Sequence, residues 1–466
     1  MPKRARRADR APTDAVKRRI WDPRVRALDV DDRRSSDTPT GVRVRGVRER
    51  ADVGDARRAA ARELALFRGV KRARSALQRI ARARTGRTDE GGTPLLLFER
   101  WLARCAVSGA LAAPVLPAQG LGLAKDLIRH GASERDGAEG AAEALAVAKE
   151  SAARWAEARD DGGEARDAVV VRDKGAFLTM QLGTEKPYVK CAKAHLGKLR
   201  ALYCRTVRGC EPLTEDVDSD EYQKFACAVF ALLMRYESLG GAGYQSALAE
   251  DAFDVLNEKL GVSCECFASP LNARYGQFCS QFGFDEDRAP DVDAFFGSLG
   301  SFFSDDFAPK RGSFEMNPPF VPETMSRAVE KANDLLDRAA NANEALSFVV
   351  IVPLWKECHY WSALLESRHL QHGPDIIDAQ SHGFCDGAQH ARPSHERHRV
   401  SSFDTGVFYL RTSRAERERP VDEEIRKRVL RGMKTALGSC KDVQELEVRY
   451  RGERARGGPA KIEDRK

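Results

Sequence analysis

Gly312-Ser313-Phe314-Glu315-Met316-Asn317-Pro318-Pro319-Phe320 reads as a buried strand that stops at a rigid turn. Both prolines fix φ and lack an N–H, so the turn is stiff and its carbonyls stay free to accept. An exocyclic adenine amine is a poor nucleophile because its lone pair is delocalised into the ring. The Asn side-chain oxygen and the carbonyl of the first Pro can accept its two protons, which localises the pair and stabilises positive charge as a methyl group arrives. The aromatic residue then offers a stacking surface. Asn317, Pro318, Pro319 and Phe320 are therefore the candidate catalytic set. By itself the tetrapeptide reads equally as an ordinary Pro-Pro turn with an Asn cap.

Its surroundings favour the chemical reading. Upstream, Gly261-Val-Ser-Cys-Glu-Cys-Phe-Ala-Ser-Pro-Leu-Asn272 predicts an apolar strand that breaks at Ser269-Pro270, with a helix over 271–281. Downstream, Leu346-Ser-Phe-Val-Val-Ile-Val-Pro-Leu-Trp355 predicts a second strand, and 406–412 a closing one. A helix over 245–260 and another near 322–341 complete the rhythm of a mostly parallel α/β sheet. The ligand crevice of such a sheet lies beyond the carboxyl ends of its strands, where Ser269-Pro270, Asn317-Pro318 and Pro353-Trp355 all fall. Trp355 is a candidate platform for a base, or else a core Trp.

These segments, in this order, resemble the phosphorylated-CTD-interacting-factor family of cap-specific mRNA adenosine N6-methyltransferases. Glu265-Cys-Phe-Ala-Ser-Pro-Leu-Asn272, Gln277-Phe-Cys279, Phe296-Gly-Ser298, Gly312-Ser-Phe-Glu315, the Asn-Pro-Pro-Phe turn, Pro353 with Trp355, Gln389-His390 and Gly406-Val-Phe-Tyr-Leu410 carry the likeness, over roughly 180–412. The resemblance implies an α/β, Rossmann-like S-adenosylmethionine-dependent methyltransferase sheet preceded by a helical domain. It implies that Phe267, Ala268, Ser269, Pro270, Asn272 and Asn317 bind S-adenosyl-L-methionine, and that the substrate is capped mRNA. Phe267 also reads as core and Asn272 as a helix cap. Asp285, Asp305 and Asp306 stay open as ribose-binding acids. After the turn the family has an acidic pair, whereas here Pro322 precedes Glu323, leaving Glu323 as the substrate contact and discrimination of the cap in question. No pair of tryptophans has WW spacing, since Trp21 and Trp101 are far apart, so no WW module and no binding to the polymerase tail are expected.

The chain has 466 residues with 42% hydrophobic and 32% charged, enough for two or three domains and a large core. Its net charge of +7 divides unevenly: residues 1–90 hold 27 Lys+Arg against 13 Asp+Glu, and the remainder is net −7. Lys3-Arg4-Ala5-Arg6-Arg7 and Lys17-Arg18-Arg19 have bipartite nuclear-import spacing, and a basic arm that holds RNA fits as well. With no apolar run long enough for a membrane and no apolar leader, a soluble nuclear protein is expected. Eleven cysteines without C-x-x-C argue against a disulfide framework or zinc module and for a reducing compartment. The histidines between 359 and 398 match no zinc spacing, so no metal is expected there but rather a polar loop over the substrate groove.

Residues 1–60 read as a disordered basic arm, 61–240 as a helical RNA-binding domain, 241–415 as the methyltransferase domain and 416–466 as a helical, basic tail. Helices are predicted near 61–83, 94–107 and 138–158, with a loop at Asp160–Gly163 and a hinge at Ser238–Gly243. A helical wheel over 186–208 puts Lys186, Lys190, Lys193, Lys198, Arg200, Arg205 and Arg208 on one face, opposite an apolar one. Lys190, Lys193 and Arg200 are the candidate phosphate contacts, although a plain solvated face fits too. The expected protein is a monomeric methyltransferase of the adenosine beside a cap. The alternatives are an amino-methyltransferase of internal RNA or DNA adenine and a silent RNA-binding homologue.

Overall fold

The computed structural model describes residues 55–85, 93–160, 168–209, 211–240, 245–283, 291–393 and 396–438. The expectations for the N-terminal arm and its import clusters, Gly162-Gly163, Gly241–Gly243, Asp285, His395 and the tail after 438 lie outside those residues.

The first unit opens with α1 (Asp55–Thr85) and α2 (Thr93–Val107), then a hairpin of β1 (Leu111–Ala113) and β2 (Leu116–Pro117). α3 (Leu123–Arg129) and α4 (Glu134–Asp160) follow. An antiparallel sheet of β3 (Val169–Lys174), β4 (Phe177–Leu182) and β5 (Val189–Ala192) leads into α5 (Lys193–Thr206) and α6 (Asp220–Leu239). α6 starts at Ser219, whose hydroxyl accepts from the Tyr222 amide. Its middle, Phe225–Met234, is apolar on every side and buried, as suits a helix wrapped by α1 and the sheet.

The second unit is a mixed sheet ordered β10-β13-β9-β8-β6-β7. In chain order its elements are α7 (Glu250–Leu260), β6 (Val262–Glu265), β7 (Gln277–Phe278), β8 (Gly312–Met316), α8 (Pro322–Asn341), β9 (Leu346–Pro353), α9 (His359–Leu365) and β10 (Leu370–Ile377). A two-stranded ribbon of β11 (Gly383–Cys385) and β12 (His398–Val400) comes next, then β13 (Thr405–Arg411), α10 (Ser413–Glu418) and α11 (Glu423–Gly438). β7, β6, β8 and β9 are parallel, and β13 is antiparallel to both β9 and β10. Every residue of β9 is buried, the pattern of a strand covered on both faces. α8 and α9 cover one face through Phe314, Phe348 and Val350, while α7 and α11 cover the other through Val349, Ile351 and Val407. β6 is followed by β7 on one side and neighboured by β8 on the other, so the topological switch lies between β6 and β8.

Several expectations change. The unit over 61–240 contains β1 to β5 as well as helices. The helix expected from 186 starts at Lys193, because Val189–Ala192 pairs with β4 and alternates buried and exposed residues. Its basic face breaks up accordingly: Lys198 is buried and donates to the Ala273 carbonyl at 2.7 Å. No helix forms over 271–281 either. Glu265 takes the Arg274 and Tyr275 amides at 2.8 Å each, so those N–H groups are satisfied by a side chain instead of a helical ladder. The histidine-rich stretch folds into β10, the ribbon and buried positions, with His382 and His390 inside. The segment from 416 is likewise part of the fold, since α11 crosses α7 where Gly432 lies against the Ala252 backbone.

The two units are joined through Arg235 of α6, which is fully buried. It binds both oxygens of Glu63 at 2.7 Å and both of Asp291 at 2.7 and 3.1 Å. Removing the guanidinium leaves the buried Glu63 and the part-buried Asp291 without their cation. Arg235→Leu is expected to cost about 3–5 kcal/mol in chemical denaturation, and a loss below about 1 kcal/mol would show that the clamp is not structural.

Candidate active site

A cavity of about 250 Å³ opens beyond the carboxyl ends of β6, β7 and β8, at the topological switch. Phe267, Ala268, Ser269 and Asn272 after β6, Cys279 to Phe282 after β7, and Asn317 and Pro319 after β8 form its floor. Phe302 and Phe303 wall one side, packed against Phe267 with centroids 5.0 and 5.6 Å away. The first unit supplies another wall: Glu99, Leu102, Ala103, Ala106 and Val107 of α2, and Tyr236, Leu239 and Gly240 at the end of α6, with Thr324 and Arg327 of α8 beside it.

The turn after β6 is held by side chains from elsewhere. Asn272 Oδ1 accepts from the Ser269 amide at 2.7 Å and its Nδ2 donates to the Gln245 carbonyl at 2.7 Å. Lys198 holds the Ala273 carbonyl and Glu265 the next two amides. Burial pushes the Lys198 ammonium down and the Glu265 carboxyl up. Glu315, paired with Glu265 across β6 and β8, is raised by burial and by the Glu265 charge.

Asn317 is buried, and its Nδ2 donates to the Ser246 carbonyl at 3.0 Å. Its Oδ1 has no partner. The fixed amide therefore presents a bare acceptor at the cavity floor. Beyond the turn Phe320 meets Trp355 at 6.5 Å and Phe384 at 5.8 Å, both edge to face, and Trp355 meets Phe403 at 5.2 Å. Phe320 and Trp355 are each part-buried.

Of the residues expected at the site, Phe267, Ala268, Ser269, Asn272, Asn317 and Pro319 are gathered around the cavity. Pro270 and Pro318 are buried behind it, and Phe320 and Trp355 form the aromatic cluster next to it. Glu323 is exposed in the first turn of α8. The cations lie elsewhere: Lys190 caps the Phe177 ring at 3.7 Å, Lys193 pairs with Asp173 at 2.6 Å and Arg200 with Glu215 at 2.8 Å. Sequence reasoning missed the whole α2 and α6 wall. A signal was present, because Glu99, Leu102, Ala103, Ala106 and Val107 share one face at helical spacing and Glu99 is the only acid in α2.

Within the set of described residues, Glu250, Cys385 and His398 are close enough to share a metal ion, but the Glu250 carboxylate already binds Arg397 at 2.6 Å and His398 at 3.1 Å.

Asp293 is fully buried behind the cavity and accepts from the Tyr236 hydroxyl at 2.8 Å. Burial raises its carboxyl from 3.8 to about 7. A folded pKa above the unfolded one gives a contribution that is complete below about 4 and is lost as pH rises through about 7. Asp293→Asn keeps an oxygen for Tyr236 and cannot ionise. Its stability relative to the native chain is expected to improve by on the order of 2 kcal/mol between about pH 5 and pH 7.5, read by denaturation. A pH-independent difference would contradict this.

Residues 198–387, from within α5 to past β11, match the family model described as Phosphorylated CTD interacting factor 1 WW domain. That match corrects the expectation that the WW feature is missing. Over 230 residues the chain is 35% identical to the mRNA (2'-O-methyladenosine-N(6)-)-methyltransferases of Mus musculus and of Homo sapiens. The alignment covers 48% of this chain and 30% of each relative, so the chain aligns with less than a third of their length. Across that part the chain is similar to the phosphorylated CTD interacting factor family.

Proposed function

We propose that this protein transfers a methyl group from S-adenosylmethionine to the N6 amine of an mRNA adenosine beside the 5′ cap. The observation that carries the reading is Asn317: its amide is locked by Ser246, and its Oδ1 is left unpaired at the floor of a cavity at the sheet's switch point. The mouse and human relatives, named mRNA (2'-O-methyladenosine-N(6)-)-methyltransferases, support the substrate. The sheet order, with β13 reversed between β9 and β10, agrees with a Rossmann-like methyltransferase sheet.

The cavity suits the cofactor, having apolar walls for its adenine and bare acceptors for its polar groups. When bound, S-adenosylmethionine supplies an electrophilic sulfonium methyl. Asn317 Oδ1 and the Pro318 carbonyl accept the two amine protons, so the lone pair is turned to one side and the forming cation is stabilised where it appears. The rigid turn needs no reorganisation to do this. Phe320 and Trp355 hold the base and exclude water, and Phe267 closes the cofactor side. Lys190, which lies over Phe177, and Lys193, which pairs with Asp173, are both exposed and are the proposed phosphate contacts. Arg200 is held by Glu215 and the Leu213 carbonyl and is set aside. Pro322, in place of an acid, favours a second reading in which an internal adenine is the substrate.

Methyl transfer from labelled cofactor to capped RNA starting with A is expected to exceed transfer to uncapped or G-starting RNA. Equal transfer to uncapped RNA would favour the second reading, and none at all would leave an RNA-binding homologue. Asn317→Ala is expected to reduce turnover by roughly two orders of magnitude with cofactor affinity little changed. Full turnover in the folded variant would refute the mechanism.

Phe320→Ala and Trp355→Ala are each expected to weaken RNA engagement by about 1–3 kcal/mol. Lower melting temperature with unaltered RNA kinetics would return both rings to a packing role.

A further inference from the structure

Among the described residues Glu99 is the one acidic side chain lining the cavity, and it arrives from α2, outside the span matched by the family model. Its Oε1 lies 3.1 Å from Arg74 Nη2, and its Oε2 is buried with no partner. Arg74 is itself fixed by a 2.8 Å bond to the Leu239 carbonyl and by the Phe98 ring beneath it. Gly240, at φ +63°, makes room for this pair: a Cβ there would come within 2.5 Å of Arg74 Nη2 and 3.3 Å of Glu99 Oε1. The carboxylate is thus held at one oxygen and left without a hydrogen-bond partner at the other.

We propose that Glu99 Oε2 receives the α-ammonium of the cofactor's amino-acid end, making the helical unit part of the cofactor site. This rests on the S-adenosylmethionine reading given above. A hydroxyl donor could be met by the neutral Ser280 or Gln281 of the cavity floor, and neither needs a buried charge. A carboxylate among Leu102, Ala103 and Ala106 is costly, and burial pushes the Glu99 carboxyl above its usual range despite Arg74. A cationic ligand group restores the ionised form. Among the described residues the only cation in the wall is Arg327, which is anchored to the Val107 carbonyl at 3.0 Å. Eight residues along α2 put that anchor about 12 Å from Glu99.

The test is calorimetric binding of two probes to the full chain and to Glu99→Gln. S-adenosylhomocysteine carries the ammonium, whereas 5′-methylthioadenosine keeps the nucleoside and lacks the amino-acid end. The expected result is a loss of about 10-fold or more for S-adenosylhomocysteine, the scale of one charge-assisted hydrogen bond, with methylthioadenosine binding retained. Retained binding of the nucleoside also shows that the variant is folded. Equal loss for both probes would overturn the assignment and point to the ribose hydroxyls or to a collapsed wall, and no loss for either would overturn it as well. If the native chain binds neither probe, the cofactor reading itself fails and this inference with it.

Discussion

A buried guanidinium couples the two halves of this protein. Arg235 lies at the end of an apolar helix, with Glu63 of α1 on one side and Asp291 of the sheet unit on the other. A buried cation of this kind is tolerated only with its counter-charges in place. The next residue, Tyr236, repeats the connection by bonding to Asp293. These contacts fix the last turn of α6 against the segment that follows β7, and that turn forms part of the cavity. The cavity floor and the helical wall are therefore held in register by charge pairing as well as apolar contact.

The site divides its labour between rigid backbone and borrowed partners. The Asn-Pro-Pro turn needs little help to be stiff, but the direction of the Asn317 amide depends on the Ser246 carbonyl. The turn after β6 depends on Glu265, Lys198 and the Gln245 carbonyl. Lys198 is the clearest case of a residue whose type misleads. A lysine on a basic stretch suggests phosphate, yet here the ammonium is buried and spends its hydrogen bond on a loop carbonyl. Its role is to position the loop that lines the cavity.

What the sequence by itself determined is the set of elements with strong local signals. The apolar run at 346–353 had to be a strand buried on both faces, and 322–341, with its regular apolar stripe, had to be a helix lying on a sheet. The turn at 317–320 was legible because proline chemistry is local. Failures came where tertiary hydrogen bonds outcompeted local preference. Residues 271–281 gave up a helix to side-chain capping by Glu265, and 189–192 left a helical wheel to pair with β4. Only the tertiary structure could decide which distant surfaces meet at the cavity. Glu99 and Asn317 are 218 positions apart in sequence, and no periodicity encodes that they line one cavity. That proximity follows from how α1, α2 and α6 dock on the sheet, and docking depends on the summed burial and charge pairing of the whole chain, which no single segment contains.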